Sequence, residues 1–502
     1  MFRSRVLARS GNSGNGDAQP THDASHEFQG YTDRIKDELA DAGRLKKNLL
    51  ISDVVSSDGN GEQLQWVDLV LAGGGLLGIA HVGFVCVLEE AGVRFRGIGG
   101  TSAGAINAVI VAASRKDDKG KFDPSQESWE KTLDILTHAK FESFQDGEGV
   151  KNSNALLKLA LGASGEAKPS KLSLAWAVAK ALPELPRIWQ NRGLHPGNEF
   201  QDWVKKQLED KGIENVAGLH EAMSLDRLSN KVHLREGVQR SAEELAGISR
   251  ATLKLVASDI STQTKVVFPD MANLYYAKAD DAHPSDFVRA SMSVPLFFQP
   301  YEIPKLDIKI PKQLQSVQDA WKATGYPDKD DLTDTEKIAR IPDKATFVDG
   351  GTLSNFPISL FDVKEKVPLL PTVGCQLGDV RAEVQPAGNP IELYKAMNNT
   401  SRHIGDYEYV IDNPMYKPLV ATADTKGFGW LDFDMPEEKK KDLFQRGAAA
   451  GVKLLKKFQQ NCTADGKPIA PGDDNWSKIK RARAARAGLV VPAAAPAPVS
   501  GR

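Results

Sequence analysis

Three short glycine-containing segments of this sequence could carry out chemistry. They are the run 73–78 (GGGLLG), the pentapeptide 100–104 (GTSAG) and the tripeptide 349–351 (DGG). A serine hydroxyl that attacks an ester needs a base, and the intermediate that it forms needs N–H donors aimed at its oxyanion. The segments offer a nucleophile in Ser102, a carboxylate in Asp349 and backbone donors in the glycine run.

The glycine run follows an apolar stretch at 67–72 and precedes a helical pattern. Glycines let a backbone approach a ligand closely, and the start of a helix offers unpaired N–H groups. Such a loop could hold a pyrophosphate or an oxyanion. A dinucleotide site would need an acidic residue about 20 positions later, at the end of the second strand. That strand runs into the Ser102 segment instead, so the sequence disfavours a nucleotide site at the run from Gly73 to Gly78.

Ser102 lies in a G-x-S-x-G pattern between Gly100 and Gly104. This pattern is typical of a sharp strand-to-helix turn that exposes the serine hydroxyl. Ile98 precedes it in a short strand pattern, and the apolar run 105–113 follows it. The alternative is an ordinary tight turn, which the pattern alone leaves open.

Asp349 follows a β-type run and precedes Gly350 and Gly351, which would let another loop pack closely against it. A plain turn is the alternative, because Asp-Gly pairs also occur at 58–59, 146–147 and 465–466. The carboxyl ends of parallel strands meet at one edge of a sheet. We therefore expect the three segments to converge there.

The elements that must position these residues alternate between strand and helix patterns. This alternation predicts an α/β fold with a largely parallel central sheet flanked by helices. We predict strands at 67–72, around Ile98, and at 252–258, 265–268, 345–348 and 372–377.

Composition excludes several classes of function. The 502 residues include 64 Lys and Arg against 66 Asp and Glu, so the basic excess of a nucleic-acid-binding protein is missing. Three cysteines are too few for a disulfide framework or a zinc site, and we expect neither metal nor cofactor. The longest apolar run, 105–113, is too short to span a bilayer. We expect a cytoplasmic protein, with peripheral membrane contact left open.

Taken together, the ordered motifs resemble the patatin-like phospholipase family. The resemblance extends to 288–295 (VRASMSVP), which is similar to the Arg-Ala-Ser-x-x-x-Pro block of that family. It implies a three-layer fold, an acyl-lipid substrate and a Ser–Asp dyad, with Ser102 as nucleophile and Asp349 as proton acceptor. Gly73, Gly74 and Gly75 would form the oxyanion hole. Leu77 stands where the family usually has Arg or Lys, a residue expected to attract an anionic head group.

We predict the following organisation: a disordered arm at 1–30, a helix and linker at 31–65, a catalytic domain at 66–380, a helical cover at 381–465, and a basic, then Pro/Ala-rich disordered tail at 466–502. Within the catalytic domain, 116–200 is a helical lid or groove candidate and 303–344 a charged surface insertion. The apolar runs 155–161 and 172–182 are either buried helices or part of that lid. The basic run 478–486 is either a solvated tail or a tether to anionic lipid.

Two other functions compete with a dyad hydrolase. An α/β-hydrolase would use a Ser–Asp–His triad, and His403 is the sole histidine after Asp349. The other alternative is a lipid-binding protein that has lost catalysis. His81 follows the glycine run, and we expect it to pack or to support the site rather than to react.

Overall fold

The computed structural model describes residues 24–146, 185–228, 231–304, 306, 317, 319–327, 333–363, 366–378, 384–470 and 472–489. Its strands are β1 Val54–Ser57, β2 Gln63–Leu71, β3 Val93–Thr101, β4 Gly193–His195, β5 His233–Leu234, β6 Thr252–Asp259, β7 Thr264–Phe268, β8 Leu296–Phe298, β9 Tyr301–Pro304, β10 Lys344–Asp349, β11 Thr372–Leu377 and β12 Val420–Ala423. Its helices are α1 Ala24–Arg34, α2 Lys36–Lys46, α3 Ile79–Glu90, α4 Ala103–Ser114, α5 Trp129–Thr137, α6 Leu185–Asn191, α7 Asn198–Glu209, α8 Val216–Met223, α9 Ala242–Ala246, α10 Pro284–Ser291, α11 Asp334–Ala339, α12 Pro390–Asp412, α13 Glu437–Leu455 and α14 Asn475–Arg486.

The centre of the fold is a mostly parallel sheet with helices packed on it. Its strands run in the order β12-β11-β2-β3-β6-β10-β9, and neighbours from β12 to β6 are parallel. Strand β10 is antiparallel to both of its neighbours, and β1 and β7 also pair antiparallel. Strand β2 is buried along its length except at Gln63, as expected for a parallel strand covered on both faces. The predicted α/β class and its largely parallel core are confirmed.

Helix α3 is held against α13 by very close backbone contacts. A Cβ on Gly83 would lie 1.9 Å from the carbonyl oxygen of Phe444, and one on Gly447 would lie 1.8 Å from that of Ala80. Helices approach this closely only where glycine faces the partner backbone. Because α3 begins directly after the glycine run, α13 fixes the element that carries this loop.

The two ends of the described chain differ from the sequence-based expectation. Residues 24–30, expected as the end of a disordered arm, belong to helix α1, and residues 56–61, within the expected linker, belong to the β1–β2 hairpin. The basic run, expected as a solvated tail or a lipid tether, forms helix α14 and packs on the fold. Arg483 Nη2 lies 2.8 Å from Asp362 Oδ1, and Lys480 Nζ lies 2.7 Å from Asp53 Oδ2. The predicted disordered tail is therefore wrong for 475–486, because these cations pair with carboxylates that are buried or nearly so.

The charged insertion is also tied to the core where the structure describes it. Trp321 is only 3% exposed and stacks edge-on against Tyr275.

Several predictions lie outside the described residues, namely those for 1–23, for the apolar runs 155–161 and 172–182, and for 490–502. No helix in the described ranges is long and apolar enough to cross a membrane.

Candidate active site

Ser102 sits at the sharp turn between β3 and α4. Its φ of 55° lies in the left-handed region, which residues other than glycine rarely adopt and which recurs at functional turns. The flanking glycines make the turn possible, because a Cβ on Gly104 would lie 2.0 Å and one on Gly100 2.7 Å from the carbonyl oxygen of Leu71. The positive end of the α4 dipole therefore faces any negative charge that develops beside Ser102.

The segment after α10 lies between Ser102 and Asp349 and contacts both. The Ser102 N–H donates to Ser291 Oγ at 2.9 Å, and the Ser102 hydroxyl donates to Met292 Sδ at 2.9 Å. The Asp349 N–H donates to the carbonyl oxygen of Ser293 at 2.8 Å. The block noted in the sequence only for its similarity thus contacts both the candidate nucleophile and the candidate carboxylate.

The carboxylate of Asp349 is buried, and among the described residues one of its two oxygens has a hydrogen-bond partner. Its Oδ1 accepts a hydrogen bond from the Gly351 N–H at 2.7 Å, whereas Oδ2 has no hydrogen-bond partner within the described part of the chain. Burial raises the pKa of Asp349 above its usual value, and the Ser102 side chain, Arg402 and the Gly351 N–H each oppose that rise. Ser102 is thus close enough to stabilise the carboxylate, although its hydroxyl currently faces Met292. Loose catalytic hydrogen bonds of this kind are common in ligand-free enzymes.

Asp349 reaches the site by a different route from the one expected. Strand β10 runs antiparallel to β6, so a shared strand direction does not explain why its carboxyl end lies near that of β3. The register nevertheless pairs Asp349 with Ala257, while Thr101 pairs with the adjacent Val256. Gly350 permits this closeness, because its Cβ would lie 2.0 Å from the carbonyl oxygen of Val256. The expectation of convergence holds, but its reason, a shared parallel direction, was wrong for β10.

The glycine run offers two unpaired N–H groups rather than three. Gly73 donates its N–H to the carbonyl oxygen of Asn355 at 2.8 Å, which corrects its expected role as an oxyanion donor. The N–H groups of Gly74 and Gly75 have no acceptor among the described residues. Gly75 has a φ of 55°, and its Cβ would lie 2.1 Å from the carbonyl oxygen of Trp430. Gly78 packs on α4, with its Cβ position 2.9 Å from Asn107 Nδ2.

The glycine run carries no basic side chain, and burial lowers the pKa of both nearby histidines, His81 and His403. Leu77 is buried in the main core. His81 donates from Nε2 to the carbonyl oxygen of Ala72 at 2.8 Å, and burial lowers its pKa to about 4, so it is a neutral support for the strand end. Burial and Arg402 lower the pKa of His403 to about 4 as well. In the ranges that the structure describes, the His403 ring makes no hydrogen bond with Ser102 or Asp349.

Three residues of the site were missed in the sequence: Asn355, Arg402 and Trp430. Arg402 Nη2 donates to Asn355 Oδ1 at 2.6 Å, and the Trp430 carbonyl oxygen accepts the Leu76 N–H at 3.0 Å. Arg402 and Trp430 come from the region predicted as a helical cover. No motif marks them, because their role depends on contacts between segments far apart in the chain.

Comparison with known proteins identifies the family. The sequence model of the family described as patatin-like phospholipase matches residues 69–362, more than half of the chain. The chain belongs to this family. Membership supports lipid acyl hydrolase activity in general and implies an acyl-lipid substrate. The matched range includes Ser102, Asp349 and the glycine run, but not Arg402 or Trp430.

The individual proteins that resemble this chain match it over very different lengths. It is 26% identical over 396 residues to the uncharacterized protein YqhO of Bacillus subtilis, a match that covers 78% of this chain and 99% of that protein. It is 56% identical over 46 residues to lysophospholipase nte1 of Aspergillus terreus, covering 9% of this chain and 3% of that protein. The solved structure of VipD from Legionella pneumophila aligns with a TM-score of 0.35 and 15% identity, covering 82% of this chain and 71% of that one.

Proposed function

We propose that this protein hydrolyses carboxylic ester bonds of phospholipids or related acyl lipids through a Ser102–Asp349 dyad and an acyl-enzyme intermediate. One observation carries the proposal. Asp349 presents a buried carboxylate oxygen, Oδ2, that has no hydrogen-bond partner among the described residues, and its carboxyl group interacts with the side chain of Ser102, which lies in a strained turn. A buried acceptor left without a partner is costly, so it is kept where function needs it.

In the first half-reaction, the Ser102 hydroxyl turns from Met292 Sδ towards Asp349 Oδ2. Asp349 takes the hydroxyl proton while Oγ attacks the ester carbonyl carbon. The oxyanion that forms accepts hydrogen bonds from the Gly74 and Gly75 N–H groups. The intermediate collapses, the alcohol leaves with the proton held by Asp349, and the acyl group remains on Oγ.

In the second half-reaction, water attacks the acyl carbon and gives its proton to Asp349. The same two N–H groups stabilise the second oxyanion. Its collapse breaks the bond to Oγ, which recovers the proton from Asp349, and the fatty acid leaves. Burial supports this use of an aspartate, because a pKa above the usual value of about 3.9 makes a carboxylate a stronger base.

An acyl lipid lies in a membrane or micelle, so we also propose that the protein acts from the cytoplasm by peripheral contact. The exposed Leu353, four residues after Asp349, and the exposed Leu296, four residues after Met292, support an apolar rim beside the site. Flotation with vesicles of neutral phospholipid tests this point. We expect Leu353→Glu to weaken flotation and vesicle hydrolysis while leaving hydrolysis of a soluble short-chain ester unchanged.

The dyad is tested with three variants on a short-chain ester and a fluorophosphonate probe. We expect Ser102→Ala to lose hydrolysis and labelling, and Asp349→Asn to lose about a thousandfold or more of kcat, because nucleophile and base act as a unit. His403→Ala, the matched control for the triad alternative, should stay within about threefold of wild type. Labelling at another serine would refute the assignment. A folded but inactive His403→Ala beside an active Asp349→Asn would refute the dyad.

The substrate class is tested by incubating the wild-type protein and Ser102→Ala with a mixture of phospholipids, galactolipids and neutral glycerides. We expect fatty acid and the matching lyso-lipid to appear with wild type alone. Lipid binding that is equal in both proteins, with no product from either, would show a binding protein that has lost catalysis.

A further inference from the structure

Arg402 on helix α12 brings a positive charge to the candidate active site from a distant part of the chain. A Cβ placed on Gly351 would lie 2.7 Å from Asp349 Oδ1 and 3.4 Å from Arg402 Nη2, so the two charged groups border the same small space. The run 73–78 supplies no basic side chain of its own. Within the described ranges, no carboxylate forms a salt bridge with Arg402, and its buried Nε has no hydrogen-bond partner.

A chain of hydrogen bonds connects Arg402 to the glycine run through Asn355. Arg402 Nη2 donates to Asn355 Oδ1 at 2.6 Å, and Asn355 Nδ2 donates to the carbonyl oxygen of Gly73 at 3.3 Å. Two backbone bonds close the connection: Gly73 N–H donates to Asn355 O at 2.8 Å, and Asn355 N–H donates to Arg402 O at 3.1 Å. Both the N–H and the carbonyl oxygen of Gly73 are therefore hydrogen-bonded to Asn355, which fixes the start of the loop that carries the unpaired N–H groups of Gly74 and Gly75.

The charge of Arg402 also acts on the base itself. Burial of Asp349 disfavours its ionised form, and the neighbours that oppose this are the Ser102 hydroxyl, the Arg402 guanidinium and the Gly351 N–H. Arg402 is the one full charge among them. Asp349 is likewise the charged group that favours the protonated form of Arg402 against burial.

We propose that Arg402 is a positioning residue of the hydrolytic site, which orders the oxyanion loop through Asn355 and stabilises the carboxylate form of Asp349. This inference rests on the proposed dyad. It assigns two separable effects to one side chain. Arg402 positions the glycine run through its hydrogen bond to Asn355, and its positive charge stabilises the carboxylate of Asp349 directly. A residue that merely stabilised the fold would produce neither effect in a folded variant.

The test measures kcat/KM for 4-nitrophenyl butyrate from about pH 4 to about pH 9, with product quantified by chromatography. The neutral variants Arg402→Gln and Arg402→Met should move the acid limb of the profile up by about 1 pH unit or more, since an opposite charge nearby lowers a carboxyl pKa by that amount. Arg402→Lys keeps the charge, so its acid limb should lie close to that of wild type. Arg34→Gln, which removes a guanidinium from an exposed pair with Glu438, is the control and should leave the profile unchanged.

Asn355→Ala separates the two effects, because it removes the side-chain hydrogen bonds from Arg402 and to Gly73 and leaves the charge in place. We expect kcat to fall about tenfold or more while the acid limb stays where it is. Folding of each variant is checked by its thermal transition. If both neutral variants fail to fold, Asn355→Ala with wild-type kcat, or Arg402→Lys with a fully shifted limb, overturns the proposal.

Failure of the inference and failure of the proposed function give different results. An active, fluorophosphonate-labelled wild type beside folded neutral variants with an unmoved acid limb refutes the role of Arg402 alone. A wild type that neither hydrolyses the ester nor takes the probe refutes the proposed function, and the role of Arg402 with it.

Discussion

Gly75→Ala tests whether the glycine run is the oxyanion hole. The new methyl group would sit 2.1 Å from the carbonyl oxygen of Trp430, and the residue would have to keep a φ of 55°. The φ alone costs about 1 kcal/mol of stability for a residue with a Cβ. The overlap can be relieved only if the loop moves by about 1 Å, a displacement that costs about a hundredfold in rate when it affects a catalytic group. We therefore expect kcat to fall about 100- to 1000-fold, as when one oxyanion donor is removed.

Gly120→Ala is the matched control for this change. Gly120 has a φ of 77°, and a Cβ there would meet no atom within 4 Å. Both variants therefore carry the backbone penalty, and the Gly75 variant alone carries the overlap. The assay compares kcat for a soluble short-chain ester with the thermal transition of each protein. A Gly75→Ala protein that folds and retains kcat within about threefold of wild type would refute the assignment of the oxyanion hole to this loop.

Two further predictions concern stability. Burial raises the pKa of Asp349, so its ionised form destabilises the native state as the pH rises. Asp349→Asn should therefore be more stable than wild type at pH about 7, and the difference should vanish below the usual pKa of about 3.9. Denaturant unfolding at both pH values measures this, and equal stabilities at both would contradict it. Arg483→Ala removes a buried cation from Asp362, whose side chain is only 12% exposed, and should lower the free energy of unfolding by about 3 kcal/mol, whereas Arg34→Ala, in an exposed pair, should lower it far less.

Among the described strands, the sequence predicted those of five or more residues and missed those of four or fewer, because a long buried strand is a continuous apolar run with a clear end. The predicted strand at 372–377 coincides with β11, the one at 67–72 overlaps β2 except at residue 72, and the others lie within β3, β6, β7 and β10. Strand direction was not predictable in the same way. Nothing in the residues 344–349 distinguishes an antiparallel strand from a parallel one, since direction depends on which edge of the sheet the preceding segment reaches.

The candidate nucleophile, carboxylate and loop could be located because each depends on local backbone geometry. A turn with positive φ needs nearby glycines, and glycines are visible in a sequence. Asn355 and Arg402 act through contacts between segments 47 residues apart, which leave no local signature. Helix α14 illustrates a third case. Trp476, Ile479 and Arg483 fall on one helical face, but the cations that dominate the segment concealed the buried side of the helix.

The close packing of α3 on α13 has a consequence for how this catalytic unit is inherited. The match to the family model stops at residue 362, whereas the backbone that packs against the loop-bearing helix comes from Phe444 and Gly447. A gene fragment cut at residue 362 would encode the candidate site residues without the helix that holds their loop in place. The unit that must be transferred whole is therefore longer than the range that the family model matches, and it extends at least to the end of α13.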